Sequence, residues 1–162
     1  MRLTVYSDYA LRLLMYLALK KDGLATIAEI AATYDISRNH LMKVAYELGI
    51  AGYVVTVRGR GGGLRLAEPV ETIILGEVIR KTEPDMAFVP CLKPNGRSCT
   101  LCPTCVLRQA IVLASAAFLK ALDGYTLGDL IRPNAAKLRA LLTISPRDGG
   151  VAPRPRRATR RG

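Results

Sequence analysis

The four cysteines of this 162-residue chain lie within fifteen positions of one another, in the segment CLKPNGRSCTLCPTC. They are Cys91, Cys99, Cys102 and Cys105. The prolines and the glycine between them indicate a loop, which can wrap several thiolates around one centre. Thiolates are the ligands of iron–sulfur clusters and of many zinc sites. The segment therefore predicts a metal site.

Two disulfides are the alternative use of four cysteines, but they would require an oxidising compartment. The N-terminal sequence has an apolar run of only seven residues, Leu13 to Leu19, with Asp8 and Arg12 ahead of it. No small-residue cleavage site follows that run, so it does not resemble a secretion signal. No segment approaches the length of a membrane span. We expect a cytoplasmic protein whose thiols are reduced.

The spacing of three cysteines bears on the identity of the metal. Cys99, Cys102 and Cys105 form C-x2-C-x2-C, which bacterial ferredoxins use to hold the irons of a cubane. Zinc also accepts thiolates at two-residue spacings, but zinc fingers usually separate two such pairs by a longer stretch. The spacing favours an iron–sulfur cluster, 4Fe–4S rather than 2Fe–2S, and keeps zinc as the alternative. No catalytic constellation accompanies the cysteines, so we do not expect an enzyme.

The chain is strongly basic, with 24 lysines and arginines against 13 acidic residues and a net charge of +11. After Ser145 it reads PRDGGVAPRPRRATRRG, which contains six arginines and one aspartate. This composition predicts a disordered basic tail over residues 146–162. The rest of the chain keeps 18 basic against 12 acidic residues, which predicts a polyanionic partner such as DNA.

Helical periodicity begins near the N-terminus. Residues 5–20 carry apolar side chains at a 3–4 spacing, which predicts a helix with one buried face. Asp8 lies in its first turn, where the helix dipole favours an anion. Asp8 and Arg12 are four positions apart and can pair. The local pattern alone thus treats Asp8 as a helix-start carboxylate.

The next two predicted helices form a helix-turn-helix. The first begins near Thr26, which matches a capping box with Glu29, and the second is expected to be capped by Ser37. A short turn joins them. The exposed start of the second helix concentrates side chains that suit base edges and phosphates. The predicted DNA-reading residues there are Ser37, Arg38, Asn39, His40 and Lys43.

A hairpin is predicted next, in the segment GYVVTVRGRGGGLRLA. Its strands are Tyr53 to Val57 and Leu64 to Leu66, and the turn between them carries Arg58 and Arg60. A helix-turn-helix followed by a basic hairpin is a winged helix, in which the wing contacts the DNA backbone or minor groove. The glycines do not indicate a nucleotide-binding loop, because no Walker lysine follows them.

The C-terminal half is predicted to contain a short helix over 72–82, a long helix after Cys105 and a final short helix ending near Leu142. The long helix is apolar on nearly every face, so it needs cover on two sides. The same helix of a second subunit would supply one side, which predicts a homodimer suited to a palindromic operator.

The expected fold is mainly α with a small β-hairpin, comprising a winged helix-turn-helix domain and a long dimerisation helix. The expected domains are the DNA-binding domain (1–82), the cysteine-rich cluster-binding loop (83–105), the dimerisation and C-terminal helices (106–145) and the basic tail (146–162).

Several segments resemble the bacterial family of iron–sulfur winged-helix regulators, and most closely its nitric-oxide-sensing repressor branch. The matching pieces occur in the family's order and cover about residues 1 to 145. They are MRLTVYSDYALRLLMYLA, SRNHLMKV, GYVVTVRGRGGGLRLA, the cysteine loop and AFLKALDGYTLGDL.

The resemblance implies a set of cluster ligands. In that branch three cysteines of one subunit are joined by an aspartate from the partner's first helix, and the matching positions are Cys91, Cys99, Cys105 and Asp8. Cys102 departs from the family pattern. It leaves two arrangements open: three cysteines with Asp8, which we favour, or four cysteines without it.

The resemblance implies a homodimeric repressor that binds a double-stranded DNA operator when loaded with its cluster and releases it when nitric oxide damages the cluster. Three alternatives remain: a zinc-stabilised DNA-binding protein, an iron- or redox-responsive regulator of the same family, and an electron-transfer protein. The last leaves the helix-turn-helix and the basic wing unexplained.

Overall fold

Helix α1 (Val5–Leu19) lies at the centre of the fold in the computed structural model, which describes residues 2–20, 23–93, 99–102 and 104–144. Thr4 caps this helix, and its hydroxyl accepts a hydrogen bond from the Ser7 amide. Leu13 and Leu14 are fully buried. Because the apolar positions cover most of its circumference, α1 packs against several other helices and the hairpin.

The helix-turn-helix consists of α2 (Ile27–Tyr34) and α3 (Arg38–Ile50). The predicted capping box of Thr26 and Glu29 is present. Asp35 adopts a left-handed conformation with φ of 52° and ends α2, as asparagine and aspartate do more readily than most residues. The predicted cap of α3 is wrong in one respect, since Ser37 occupies the cap position but its side chain makes no capping hydrogen bond.

The predicted wing is an antiparallel hairpin of β1 (Val54–Val57) and β2 (Gly63–Leu66). The hairpin has a further backbone contact that was not predicted: Ala25 exchanges two hydrogen bonds with Leu64, of 2.9 and 2.7 Å. A Cβ at Gly63 would come within 2.8 Å of the Ala25 carbonyl oxygen. Gly63 is therefore required for close backbone approach rather than for flexibility.

Helix α4 (Leu75–Thr82) begins three residues later than the predicted segment 72–82. Ile73 accepts a backbone hydrogen bond from Leu127, and Leu75 donates one to Tyr125. These long-range bonds hold the preceding segment in an extended conformation. The segment before Leu75 has a helical sequence pattern, but its backbone instead forms hydrogen bonds with the chain that follows the long helix.

The long helix α5 (Val106–Asp123) is joined to α4 by an ion pair between Arg80 and Asp123, with two hydrogen bonds of 2.6 and 2.7 Å. Arg80 holds the pKa of the Asp123 carboxyl below its ordinary value. A Cβ at Gly76 would overlap the Asp123 carboxylate. Gly76 thus provides the space in which this ion pair forms.

Two short helices complete the fold, α6 (Leu127–Ile131) and α7 (Ala135–Leu141). The predicted final helix corresponds to α7, and a 3-10 turn containing Pro133 separates it from α6. The architecture is mainly helical with one hairpin, as predicted. Within the described ranges, no helix is both long and apolar enough to cross a membrane. The predicted tail, 146–162, lies outside the described residues.

Gly76→Ala is expected to destabilise the protein by about 1–3 kcal/mol, since the added methyl group overpacks the α4–α5 contact. Alanine is otherwise the better helix former by about 1 kcal/mol, so the expected sign is opposite to that of helix propensity. Urea or thermal unfolding measures the change. Gly49→Ala in α3 is the matched control, because its Cβ would meet only the Val54 oxygen at 3.6 Å; it should be neutral or stabilising. Equal effects of the two substitutions would contradict this account of Gly76.

Candidate DNA-reading face and cysteine centre

The first turns of α3 present the side chains predicted to read DNA. Burial on the opposite face of the helix fixes this orientation, because Leu41, Val44 and Leu48 are packed in the core. The His40 ring lies 6.3 Å from the Tyr9 ring of α1, centroid to centroid, in a tilted arrangement. Five predicted residues are exposed there: Ser37, Arg38, Asn39, His40 and Lys43.

The wing turn carries the other two predicted residues, and both Arg58 and Arg60 are exposed. Gly59 and Gly61 have positive φ angles of 100° and 80°, a conformation that side-chain-bearing residues rarely adopt. The alternation of arginine and glycine therefore lets a tight turn carry two cationic side chains into solvent.

The cations of these two elements are not neutralised within the described part of the chain. Four ion pairs are formed there, by Arg12, Lys20, Arg80 and Arg132 with acidic partners. Arg38, Lys43, Arg58 and Arg60 take part in none of them. Cations without an acidic partner among the described residues remain available for phosphates, and their neutralisation by DNA would release counterions.

The four cysteines occupy three local settings along the chain. Cys91 lies in a 3-10 turn (Pro90–Leu92), and the Cys102 amide donates a 3.0 Å hydrogen bond to the Cys99 carbonyl. Cys105 directly precedes α5. All four are free thiols with partly buried side chains. The predicted reduced state is therefore compatible with the structure.

Cys105 is the capping residue of α5, a role that sequence reasoning missed. Its Sγ accepts a hydrogen bond of 3.4 Å from the Arg108 amide. The first amides of a helix have no intrahelical acceptor, so a side-chain acceptor at this position satisfies one of them. The only available signal was the position of a cysteine immediately before an apolar helical run. Cys105 therefore holds its sulfur against the free amides at the start of α5.

No three potential metal ligands among histidine, cysteine, aspartate and glutamate converge within the described residues of the chain. The donor chemistry nevertheless suits an iron–sulfur cluster, because four unpaired thiols lie on one short segment and thiolates are its preferred ligands. The structure brings Cys99 and Cys102 into one turn and leaves the complete set unassembled.

Asp8 is held on the surface of α1. Its two carboxylate oxygens accept hydrogen bonds of 3.0 and 2.9 Å from Arg12 Nε, which confirms the predicted pair. The Asp8 side chain remains 47% exposed. The Arg12 guanidinium carbon also lies 5.7 Å from the centroid of the Tyr34 ring, and burial raises the pKa of Tyr34 to about 12. Arg12 thus orients the Asp8 carboxylate, which remains partly accessible on the surface of the chain.

Comparison with known proteins identifies the family. Residues 3–133 match the Rrf2 family, described as "Iron-dependent Transcriptional regulator". The chain belongs to the Rrf2 family. It is 51% identical over 133 residues to the HTH-type transcriptional regulator NsrR of Bacillus subtilis strain 168, a match covering 82% of this chain and 91% of that protein.

Two further similarities support the Rrf2 assignment. The NsrR of Geobacillus kaustophilus strain HTA426 is 48% identical over 143 residues, covering 88% of this chain and 97% of that protein. The solved structure of CymR, the global cysteine regulator of B. subtilis, matches with a TM-score of 0.65 and 27% identity over 80% of this chain and 95% of that one. This Rrf2 protein is an NsrR-like transcriptional regulator with a winged-helix fold, and its named relatives are regulators rather than enzymes.

Arg60→Ala is expected to weaken binding to operator and non-operator DNA alike, because one phosphate contact is lost. The magnitude of the slope of log affinity against log salt concentration should fall by about 1. Fluorescence anisotropy at several salt concentrations measures both quantities. Lys137→Ala removes an exposed cation of α7, outside the helix-turn-helix and the wing, and serves as the control. The wing contact would be wrong if the two substitutions had the same effect.

Proposed function

We propose that this chain is a nitric-oxide-sensitive, iron–sulfur transcriptional repressor of the cytoplasm. It binds a palindromic operator as a cluster-loaded homodimer and releases it when nitric oxide damages the cluster. The observation that carries the proposal is the set of four free thiols on one segment that ends at the start of α5. Similarity to NsrR over most of the chain supports it.

The proposed ligands are Cys91, Cys99 and Cys105 of one subunit with Asp8 of the other, around a 4Fe–4S cluster. The exposure of the Asp8 carboxylate supports a ligand that reaches across an interface. Cys102 lies in the same turn as Cys99, and we assign it the role of a substitute ligand. When bound, the cluster supplies irons that react with nitric oxide.

Asp8 is the weak member of this ligand set. A carboxylate is a poorer donor to a soft metal centre than a thiolate, and Arg12 competes for the same two oxygens. Asp8 would therefore be the ligand most readily displaced, and its ion pair with Arg12 would remain open to it. This exchange would connect the chemistry of the cysteine loop to the orientation of α1.

The dimer is supported by the exposed apolar surface of α5. Although α5 has eighteen residues, all of them described, none is buried in the isolated chain. Val106 is 75% and Leu113 is 70% exposed. A helix with this much exposed apolar surface marks an interaction site, and the same helix of a second copy is the simplest cover. The dimer would place its two winged helix-turn-helix units, here called the reading heads, on the two half-sites of the operator.

Release of DNA requires that the cluster-loaded and damaged states differ in the arrangement of their reading heads. Moving such an equilibrium from nearly all bound to nearly all released requires about 5 kcal/mol of differential stabilisation. The ligand bonds of the cluster would supply this difference by tying the loop to α1. Helix α1 packs on α3, so the constraint reaches the reading helix.

An iron-responsive regulator is the second candidate function, favoured by the description of the matching family as iron-dependent. Anaerobic absorbance and native mass spectrometry, before and after nitric oxide, separate the candidates. The proposed function requires a brown protein that loses operator affinity on exposure to nitric oxide. Loss of operator affinity when iron is chelated, with no response to nitric oxide, would support the iron-responsive regulator. A colourless, zinc-containing protein would exclude both.

Substitution of Cys91, Cys99 or Cys105 by alanine is expected to abolish cluster retention and operator binding, since each removes a proposed ligand. Cys102→Ala is the matched control within the same loop and should keep both properties. Iron and sulfide content per subunit, measured with operator affinity, reports the outcome. Complete cluster loss in Cys102→Ala would contradict the proposed ligand set and favour four cysteine ligands.

A mixed dimer tests whether Asp8 ligates across the interface. One chain carries Asp8→Ala, and the other lacks all cysteines but keeps Asp8, so a single centre assembles on the first chain. Ligation across the interface should give that centre the spectrum of the wild-type protein. A spectrum identical to that of the Asp8→Ala homodimer would place the carboxylate ligand in the same subunit and refute the bridge.

A further inference from the structure

Glu83 connects the beginning of the cysteine loop to the first turn of α1. It directly follows α4, and its Oε1 accepts hydrogen bonds from the Thr4 amide at 2.8 Å and from the Thr4 hydroxyl at 3.1 Å. The Ser7 hydroxyl donates a third, of 2.5 Å, to the same oxygen. The partners are 76 and 79 positions apart in sequence, so the contact is created by the fold.

The setting makes this contact stronger than a surface hydrogen bond. A carboxylate at the N-terminus of a helix interacts favourably with the helix dipole and with amides that lack intrahelical partners. Ser7 is fully buried and Thr82 is nearly so, and their hydroxyl oxygens lie 2.9 Å apart. Water is therefore partly excluded from the cluster formed by Thr4, Ser7, Thr82 and Glu83.

This cluster is one hydrogen bond away from Asp8. The Thr4 carbonyl accepts a 3.1 Å hydrogen bond from the Asp8 amide, while the amide and hydroxyl of Thr4 donate to Glu83. A shift of Glu83 would therefore move the helix turn that carries Asp8. The same α1 packs on the reading helix α3, so the displacement extends to the DNA-reading face.

We propose that Glu83 is a positioning residue that transmits the state of the cysteine loop to α1 and α3 of its own subunit. This inference rests on the proposed function and names the connection by which that function is regulated. Because Asp8 would reach the partner's cysteine centre, the Glu83 and Asp8 contacts of both subunits would connect each cysteine centre to the α1 helices of both subunits. Damage at either centre would then reach both reading heads.

Glu83→Ala tests the proposal, and Glu77→Ala, at an exposed position of the preceding helix α4, is the matched control. Operator affinity is measured for cluster-loaded and cluster-free protein, and the ratio of the two is the readout. We expect Glu83→Ala to keep wild-type cluster absorbance but to reduce that ratio at least about tenfold, within the range of typical coupling between sites. Glu77→Ala should leave the ratio unchanged.

A purely structural role for Glu83 would lower both affinities equally and leave their ratio at the wild-type value, which would overturn the proposal. Glu83→Gln keeps an acceptor oxygen without the charge, so it should reduce the ratio less than Glu83→Ala does. The glutamine variant also supplies the test if the alanine variant does not fold, and a wild-type ratio in it would then be the contrary result.

A second readout is independent of the cluster. In cluster-free protein, the Thr4 amide should exchange hydrogen at least about tenfold faster in Glu83→Ala than in Glu77→Ala, since a hydrogen-bonded amide becomes exposed. Unchanged exchange would refute the positioning contact itself. Faster exchange in a protein whose wild-type form binds no cluster would instead refute the proposed function and leave the contact intact.

Discussion

The burial of α1 is the constraint on which the other elements depend. Leu13 and Leu14 have no exposed surface, and α3, α4, α6 and the wing strand β2 all pack against this helix. Burial of one leucine side chain stabilises the fold by about 2 kcal/mol. A large movement of any neighbouring element would expose these side chains to water and lose much of that stabilisation. Motions of the molecule are consequently restricted to small shifts of packed helices, the kind of rearrangement that distinguishes two states in many switches.

The two ends of α1 contact different parts of the molecule. Its first turn touches Glu83 and carries Asp8, whereas its last residue, Leu19, accepts a hydrogen bond from Arg139 of α7. Between these ends the helix supports α3 from behind. A reading helix supported by a rigid element can be displaced as a unit, without disturbing the side chains that face DNA. This arrangement separates the side chains predicted to read DNA from the proposed cluster ligands.

The elements that the sequence predicted well are those specified by local signals. Thr26 and Glu29 define a helix start within four residues, and the glycines and arginines of the wing define a turn. The start of α4, the Ala25–Leu64 contact and the Glu83 cluster depend on residues far apart in sequence, so no local pattern indicates them. The prolines and glycine between the cysteines predicted a loop and the cysteine spacing predicted a metal site, but the choice between Asp8 and Cys102 as a ligand concerns a proposed dimer and a proposed cofactor, which the sequence pattern of one chain does not specify. From the sequence alone, Gly76 is a residue of low helix propensity; the reason for a glycine at this position is its contact with Asp123, forty-seven residues later.

Helix α5 separates the cysteine loop from the contact between α5 and α4 by its full length. With a rise of 1.5 Å per residue, the eighteen residues of α5 separate Cys105 from the Arg80–Asp123 ion pair by about 27 Å. A displacement of about 2 Å at the sulfur end therefore corresponds to a tilt of only about 4° at the ion pair, by that same helix geometry. Such a tilt would act first on the contact with α4, where a Cβ at Gly76 would already overlap the Asp123 carboxylate.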